Sequence, residues 1–271
     1  MSKADLALAL DWAASEGWNP GLDDAAAFYA TDPDGFLMGW INQTPVAAIS
    51  AVRHNDDFGF LGLYICHPDY RGTGLGWEIW QAAMNRFKTR TIGLDGVEEQ
   101  QGNYAKSGFV FSHNTIRHQG TLRSGAMGGF SKIKPEMVEI SAKFEAGISG
   151  VNRPAYMNNW LTDTNFRRSL VLVKNHKIHA LGTIRKCIDG FKIGPLYAPD
   201  ADIAGALARA LLPIGQSETV AIDAPSHNPA AVELCDNLGL EPVFSTARMY
   251  KGQQTPALCD REFGVVTMEL G

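Results

Sequence analysis

The strongest constraint on this chain is that it repeats itself. At a spacing of 131 residues, Pro68 meets Pro199, Asp69 meets Asp200 and Gly74 meets Gly205. At the same spacing Gly108 meets Gly239, Thr115 meets Thr246 and Arg117 meets Arg248. The matches fall in corresponding stretches of the chain, which points to a duplicated fold. In the first copy, apolar residues at helical spacing over 3–16 are followed by a helix after Pro20. Strand-like runs at 36–41, 46–52 and 58–66, separated by polar turns, predict an antiparallel meander. A helix over 75–88, a short strand at 91–95, a helix over 97–107 and a strand over 109–119 complete it. The second copy repeats the order, with a hairpin around Asn175-His176, an Asp189-Gly190 turn, helices over 202–212 and 228–238, and a strand near 220–224. The glycine- and proline-marked stretch 121–135 has little apolar periodicity and is read as the boundary. The expectation is an α/β (α+β) protein with domains 1–130 and 131–271. Each is a mixed, mostly antiparallel twisted sheet flanked by helices.

Composition removes several function classes. A chain of 271 residues is long for one compact core and suits two. Its net charge of −5, with no basic run, argues against a general nucleic-acid partner or an anionic membrane. No apolar window of about 18 residues is present to span a bilayer. The charged residues Lys3, Asp5 and Asp11 make the first segment an amphipathic helix and not a signal peptide. Cys66, Cys187, Cys235 and Cys259 are far apart with no CxxC spacing, as free thiols of a reducing cytoplasm would be. His176 and His179 flank a hairpin turn, so no metal site is expected.

The segment HPDYRGTGLG, residues 67–76, carries the chemistry. It joins a strand to a helix. The first-turn N–H groups of a helix have no intrahelical partner, and the helix dipole favours an anion there. Glycines allow close backbone approach, and Arg71 adds a forked positive charge. A dinucleotide fold is one reading, with Asp95 as the ribose acid. The spacing is GxGxG and not GxGxxG, however, and the loop follows an antiparallel meander. The Walker A pattern is absent. The bland alternative is a turn with incidental glycines.

A further reading accounts for more residues. Arg71, Gly74 and Gly76, with Pro68 and Tyr70 ahead of them, resemble the acetyl-CoA loop R/Q-x-x-G-x-G/A of the GCN5-related N-acetyltransferases (GNAT). NYAKSGF, 103–109, is similar to that family's [LF]-Y-x-K-x-G-F segment and departs only at its first position. Residues 35–120 carry the resemblance, and EGWNPG (16–21) is similar to a two-domain subgroup. The second copy holds NPAAVELCDNLGL, 228–240, with Cys235 in the place of Tyr104. Its loop reads APDADIAGAL, in which Asp202 replaces Arg71 and Leu207 replaces Gly76. Those acids would repel a diphosphate and suit a helix N-terminus instead. The second copy is therefore expected to keep a degenerate GNAT-like fold without the cofactor and to shape the acceptor site.

The resemblance implies acetyl-CoA as cosubstrate, no metal, and direct transfer of the acetyl group to a primary amine of a small molecule. The implied cofactor contacts are Tyr64, Ile65, Cys66, Arg71, Gly72, Thr73, Gly74, Leu75, Gly76 and Tyr104. The Tyr64 N–H would stabilise the thioester oxygen and Tyr104 would protonate the leaving thiolate. A family glutamate four residues before the Tyr64 position is here Phe60, which leaves Asp95, Glu98 or Glu99 as the base. Trp18, Asn19 and Asp23 are the candidate acceptor contacts. The alternatives are a non-catalytic acyl-CoA sensor and a protein lysine or N-terminal acetyltransferase.

Overall fold

The computed structural model describes residues 1–213, 215–253 and 257–271. In chain order the elements are α1 (Lys3–Ser15), α2 (Asp24–Thr31), β1 (Phe36–Ile41), β2 (Thr44–Arg53), β3 (Phe58–Cys66), α3 (Leu75–Phe87), β4 (Thr91–Gly96), α4 (Gln101–Lys106) and β5 (Val110–Arg123). They continue with β6 (Phe130–Lys132), α5 (Val138–Ser149), α6 (Pro154–Trp160), β7 (Arg167–Lys174), β8 (Lys177–Lys186), β9 (Phe191–Tyr197), α7 (Ala201–Ala210), β10 (Ser217–Pro225), α8 (Pro229–Asn237), β11 (Glu241–Lys251) and β12 (Glu262–Gly264). Local chemistry explains many of the boundaries. Ser2 and Asp5 form a capping box that starts α1. Asn42-Gln43 and Asn175-His176 both adopt positive φ, as a two-residue hairpin turn of primed type needs. His176 thus lies in the turn itself.

The mixed sheet with flanking helices is as expected, but the two copies share it. The twelve strands form one sheet in the order β1-β2-β3-β4-β11-β5-β10-β9-β8-β7-β6, with β12 on β9. Strand β11 of the second copy lies between β4 and β5 of the first, and β5 of the first pairs with β10 of the second. The stretch 121–135 is therefore not loop throughout. Strand β5 runs on to Arg123 because Leu122 is buried and β10 pairs with it, and β6 joins β7. Between β6 and β7, where the sequence pattern marks no element, lie α5 and α6. On one sheet face, α1 and α2 share a continuous core with α5 and α6, in which Phe28 stacks on Trp160 at 6.1 Å. Helices α3 and α7 pack in separate cores, and the exchanged strands join them: Ala247 and Met249 of β11 lie in the core of α3, and Leu122 of β5 in that of α7.

The exchange is centred on Thr115 and Thr246, which are direct partners across β5 and β11. On either side of this pair an arginine meets an aspartate of the other copy. Arg117 is opposite Asp223, with Nε to Oδ1 at 2.7 Å and Nη2 to Oδ2 at 2.9 Å. Arg248 is opposite Asp95, with the corresponding distances 3.1 Å to Oδ1 and 2.6 Å to Oδ2. Burial pushes the Asp223 carboxyl up, but the Arg117 guanidinium outweighs it and holds the group at about 2. Removing one partner of such a pair leaves an uncompensated buried charge, whereas replacing both need not. Arg248→Leu is expected to lower stability in urea unfolding by about 3–5 kcal/mol, and Asp95→Leu/Arg248→Leu to recover most of that loss. A double variant as unstable as the single one would show that the pair is not the source.

Candidate active site

The site begins where β3 and β4 part. They pair in parallel only from Phe58–Thr91 to Leu61–Leu94. Beyond Leu61 a bulge displaces β3 against β2, between the pairs Ser50–Gly62 and Ala48–Ile65, and Leu63 has φ 47°. From Gly62 onward, β3 has no strand partner on its β4 side among the described residues. A wedge results, with one unpaired β edge along it.

At the outer end of the wedge lies a groove lined by Tyr64, Ile65, Cys66, Arg71, Gly72, Gly74 and Gly76. Gly72 and Gly74 have φ 78° and 93°, which turns the chain into the N-terminus of α3. Arg71 Nε donates to the Cys66 carbonyl at 3.0 Å, and its guanidinium pairs with Glu16. The residues fit a diphosphate with an extended arm. They offer a helix N-terminus, an arginine and a free strand edge leading inward. Three of the expected contacts do not line this groove, of which Tyr104 lies farther in. The Thr73 hydroxyl donates to the Tyr70 carbonyl at 2.6 Å, and Leu75 faces a separate hollow beside β1.

At the inner end the groove opens into a pocket; Trp18, Tyr64, Val97, Gln100 and Phe244 line both. Leu61, Gly62, Leu94, Asp95, Tyr104, Arg117, Thr246, Met268 and Glu269 also line the pocket, so both copies contribute to its wall. Tyr104 is buried and stacks on Trp80 at 5.3 Å. Burial, and then the neighbouring Tyr64, pushes its phenol well above the usual range, so it stays protonated at neutral pH. Phe60 is fully buried and lies 5.0 Å beneath the Arg248 guanidinium.

Several expected assignments need correction. Asp95 is not a free base. Both its oxygens take Arg248, and Oδ1 also accepts from Thr115 at 3.1 Å. Glu98 and Glu99 are exposed at the groove and do not line the inner pocket. Asn19 exchanges hydrogen bonds with the Asp189 backbone, and Asp23 binds Arg167 and Thr164. Both residues brace the two copies against each other; of the three acceptor candidates only Trp18 reaches the pocket.

The second copy carries the same wedge with something in it. Strands β9 and β10 pair from Phe191–Val220 to Ile193–Ile222 and then part. Into the gap runs the closing segment of the chain. Strand β12 pairs with Leu196 and Tyr197, and Val265 N–H donates to the Asp223 carbonyl at 3.0 Å. A Cβ on Gly194 would lie 2.3 Å from the Val265 oxygen, so only glycine admits the segment. The acidic loop is a helix start, as expected. Asp200 caps α7 through the Ile203 N–H at 2.8 Å, and Asp202 lies in the first turn.

Residues 5–109 match the acetyltransferase (GNAT) family and residues 142–264 match an acetyltransferase (GNAT) domain. A holothin acyltransferase of a Pseudoalteromonas species is 32% identical over 96% of this chain and 90% of its own. A candidate acetyltransferase of Pyrococcus horikoshii superposes over 100% of this chain and 94% of its own, with a TM-score of 0.83 at 20% identity. A tandem GNAT protein from the clavulanic acid biosynthesis pathway covers 95% and 98%, with a TM-score of 0.58 at 14% identity. The structural likenesses establish the fold. The chain is an acyltransferase and belongs to the GNAT family, in a tandem arrangement. None of its described helices is long and apolar enough to cross a membrane.

One buried histidine ties the site to pH. His54 Nε2 donates to the Leu270 carbonyl at 2.8 Å, which holds the closing segment beside β3. Burial, reinforced by Arg153, pushes its imidazole down to about 3, although the Leu270 carbonyl opposes this. In the unfolded chain it would protonate near 6.5, so between these values only the unfolded state takes up the proton. Stability is then intact above about 6.5 and falls as the medium is acidified. Between pH 7 and pH 5 this group alone is expected to cost about 2 kcal/mol in denaturant titrations. His54→Gln should lose that part of the pH dependence. An unchanged slope would mean that native His54 takes up its proton over the same range as in the unfolded chain.

Proposed function

We propose that the first copy binds acetyl-CoA and that the protein transfers the acetyl group to a primary amine of a small molecule. The observation that carries this reading is the open β3–β4 wedge, which joins a glycine-loop groove to an inner pocket holding a protonated tyrosine. Arg71 and the first turn of α3 would hold the diphosphate, with Gly72, Gly74 and Gly76 leaving room for it. The unpaired edge of β3 from Gly62 to Cys66 would hold the pantetheine arm as an added strand. The cosubstrate supplies an activated acetyl thioester. The Tyr64 N–H would donate to the thioester oxygen as negative charge develops there. Tyr104 would deliver its proton to the departing sulfur.

The second copy would bind no cofactor, because β12 and Val265 take the edges that a pantetheine arm would need. Its role would be to wall the acceptor pocket through Phe244, Thr246, Met268 and Glu269. A wall built from two copies and a crossing chain segment favours a compact acceptor over an extended peptide. The similarity to a protein described as a holothin acyltransferase supports a small-molecule acceptor.

Calorimetric titration with acetyl-CoA is expected to show one site per chain. Two sites would sink the reading of the second wedge. Arg71→Glu should weaken acetyl-CoA binding about tenfold or more, since it reverses the charge at the diphosphate. Tyr104→Phe should lower turnover with an amine panel by ~10²-fold while acetyl-CoA affinity holds. A sensor without catalysis would show no turnover in either form.

A further inference from the structure

Past β12 the chain does not leave the second wedge for solvent. It crosses the sheet face into the first copy's pocket. The Thr267 hydroxyl accepts from Leu270 N–H at 3.0 Å and bonds the Tyr156 hydroxyl at 3.2 Å. Met268 sulfur lies 3.7 Å from Arg117 Nη2. The Leu270 and Gly271 carbonyls accept from His54 and Arg153. Between these anchors the backbone of Glu269 lies against β3, so close that a Cβ on Gly62 would sit 1.9 Å from the Glu269 oxygen. Gly62 thus admits the segment to the first wedge as Gly194 does to the second.

Within the buried charged layer Glu269 stands apart because its carboxylate has no direct partner among the described residues. It is 5% exposed and lines the pocket together with Tyr104 and Trp18. The cations that face it make their hydrogen bonds elsewhere, although its charge is felt by Arg117, Arg185 and Lys192. Arg117 of β5 holds Asp223, Arg248 of β11 holds Asp95, and Arg185 of β8 faces Asp24 at 3.3 Å. Lys192 of β9 donates to the Trp18 carbonyl at 2.8 Å. Among the described residues neither carboxylate oxygen of Glu269 has a hydrogen bond or ion pair, and Oε2 is buried without a partner. Buried carboxylates are ordinarily paired or hydrogen-bonded. A bound cation would complete this one.

We propose that Glu269 receives the acceptor as its ammonium ion and takes the proton that must leave before the nitrogen can attack. The inference rests on the acetyl-transfer reading and names its substrate class: a small alkylammonium. The ammonium gives one proton to Glu269, which releases it to solvent. The freed lone pair forms the N–C bond to the acetyl carbon as the C–S bond breaks. The second proton leaves the nitrogen through water and restores Tyr104, which has protonated the sulfur. The products are an N-alkyl acetamide, CoA thiol and one proton.

The test compares butylamine, an ammonium ion at pH 7, with methoxyamine, which is neutral there. Thiol release by wild-type protein and by Glu269→Gln is followed with each. The variant's preference for butylamine over methoxyamine is expected to fall about a hundredfold at pH 7, the usual scale of a lost general base. The deficit should narrow as pH approaches about 10, where butylamine is itself deprotonated. If Glu269 merely held the segment in place, both amines would suffer alike and the ratio would stand, which overturns the proposal. Turnover of neither amine by the wild type would overturn the acetyl-transfer reading and this inference with it.

Discussion

The crossed ion pairs Arg117–Asp223 and Arg248–Asp95 join the halves of this protein at its centre. Each arginine comes from a strand that has moved into the other copy's half of the sheet. The pairs flank Thr115 and Thr246, which face each other across the exchange. A buried guanidinium needs a buried carboxylate, and in both crossed pairs the carboxylate is in the opposite copy. The two repeats are therefore one cooperative sheet. The position of Asp95, at the mouth of the β3–β4 wedge, follows from this arrangement and not from chemistry at the acyl group.

The same parting of parallel strands occurs twice and meets two fates. In the first copy, the edge of β3 beyond Leu61 stays open beside a glycine loop. In the second, β12 and Val265 occupy the edges of β9 and β10. A splayed pair leaves backbone N–H and carbonyl groups unpaired, and something must satisfy them. The chain itself does so in the copy whose loop carries Asp200 and Asp202. The segment that closes one wedge goes on to form part of the wall in the other, so the filling of one is physically linked to the shape of the other.

Much of the fold was legible in residue patterns. Strand-like runs located β1 and β3 to the residue, and the expected helices match α1, α3 and α7 within one or two residues. Loop chemistry separated the two copies: Gly72 and Gly74 adopt positive φ, whereas Asp200 caps a helix. The acceptor side was less legible. Asn19 and Asp23 stand near Trp18 in the chain and look alike as polar wall residues, yet their partners lie 170 and 144 residues away, at Asp189 and Arg167. Glu269 carried no motif at all. Its place depends on Gly62, which in sequence looks like an ordinary strand glycine.

The sequence by itself determined the duplication, the glycine loop, the tyrosine that follows it and the degeneracy of the second loop. These features are local, and short-range sterics and helix-end electrostatics govern them. Tertiary structure alone decided which strands pair across the copies, which carboxylates are tied up in ion pairs, and where the closing segment runs. Those outcomes depend on burial and on partners far away in the chain, and a residue's type cannot report whether its charge will find one.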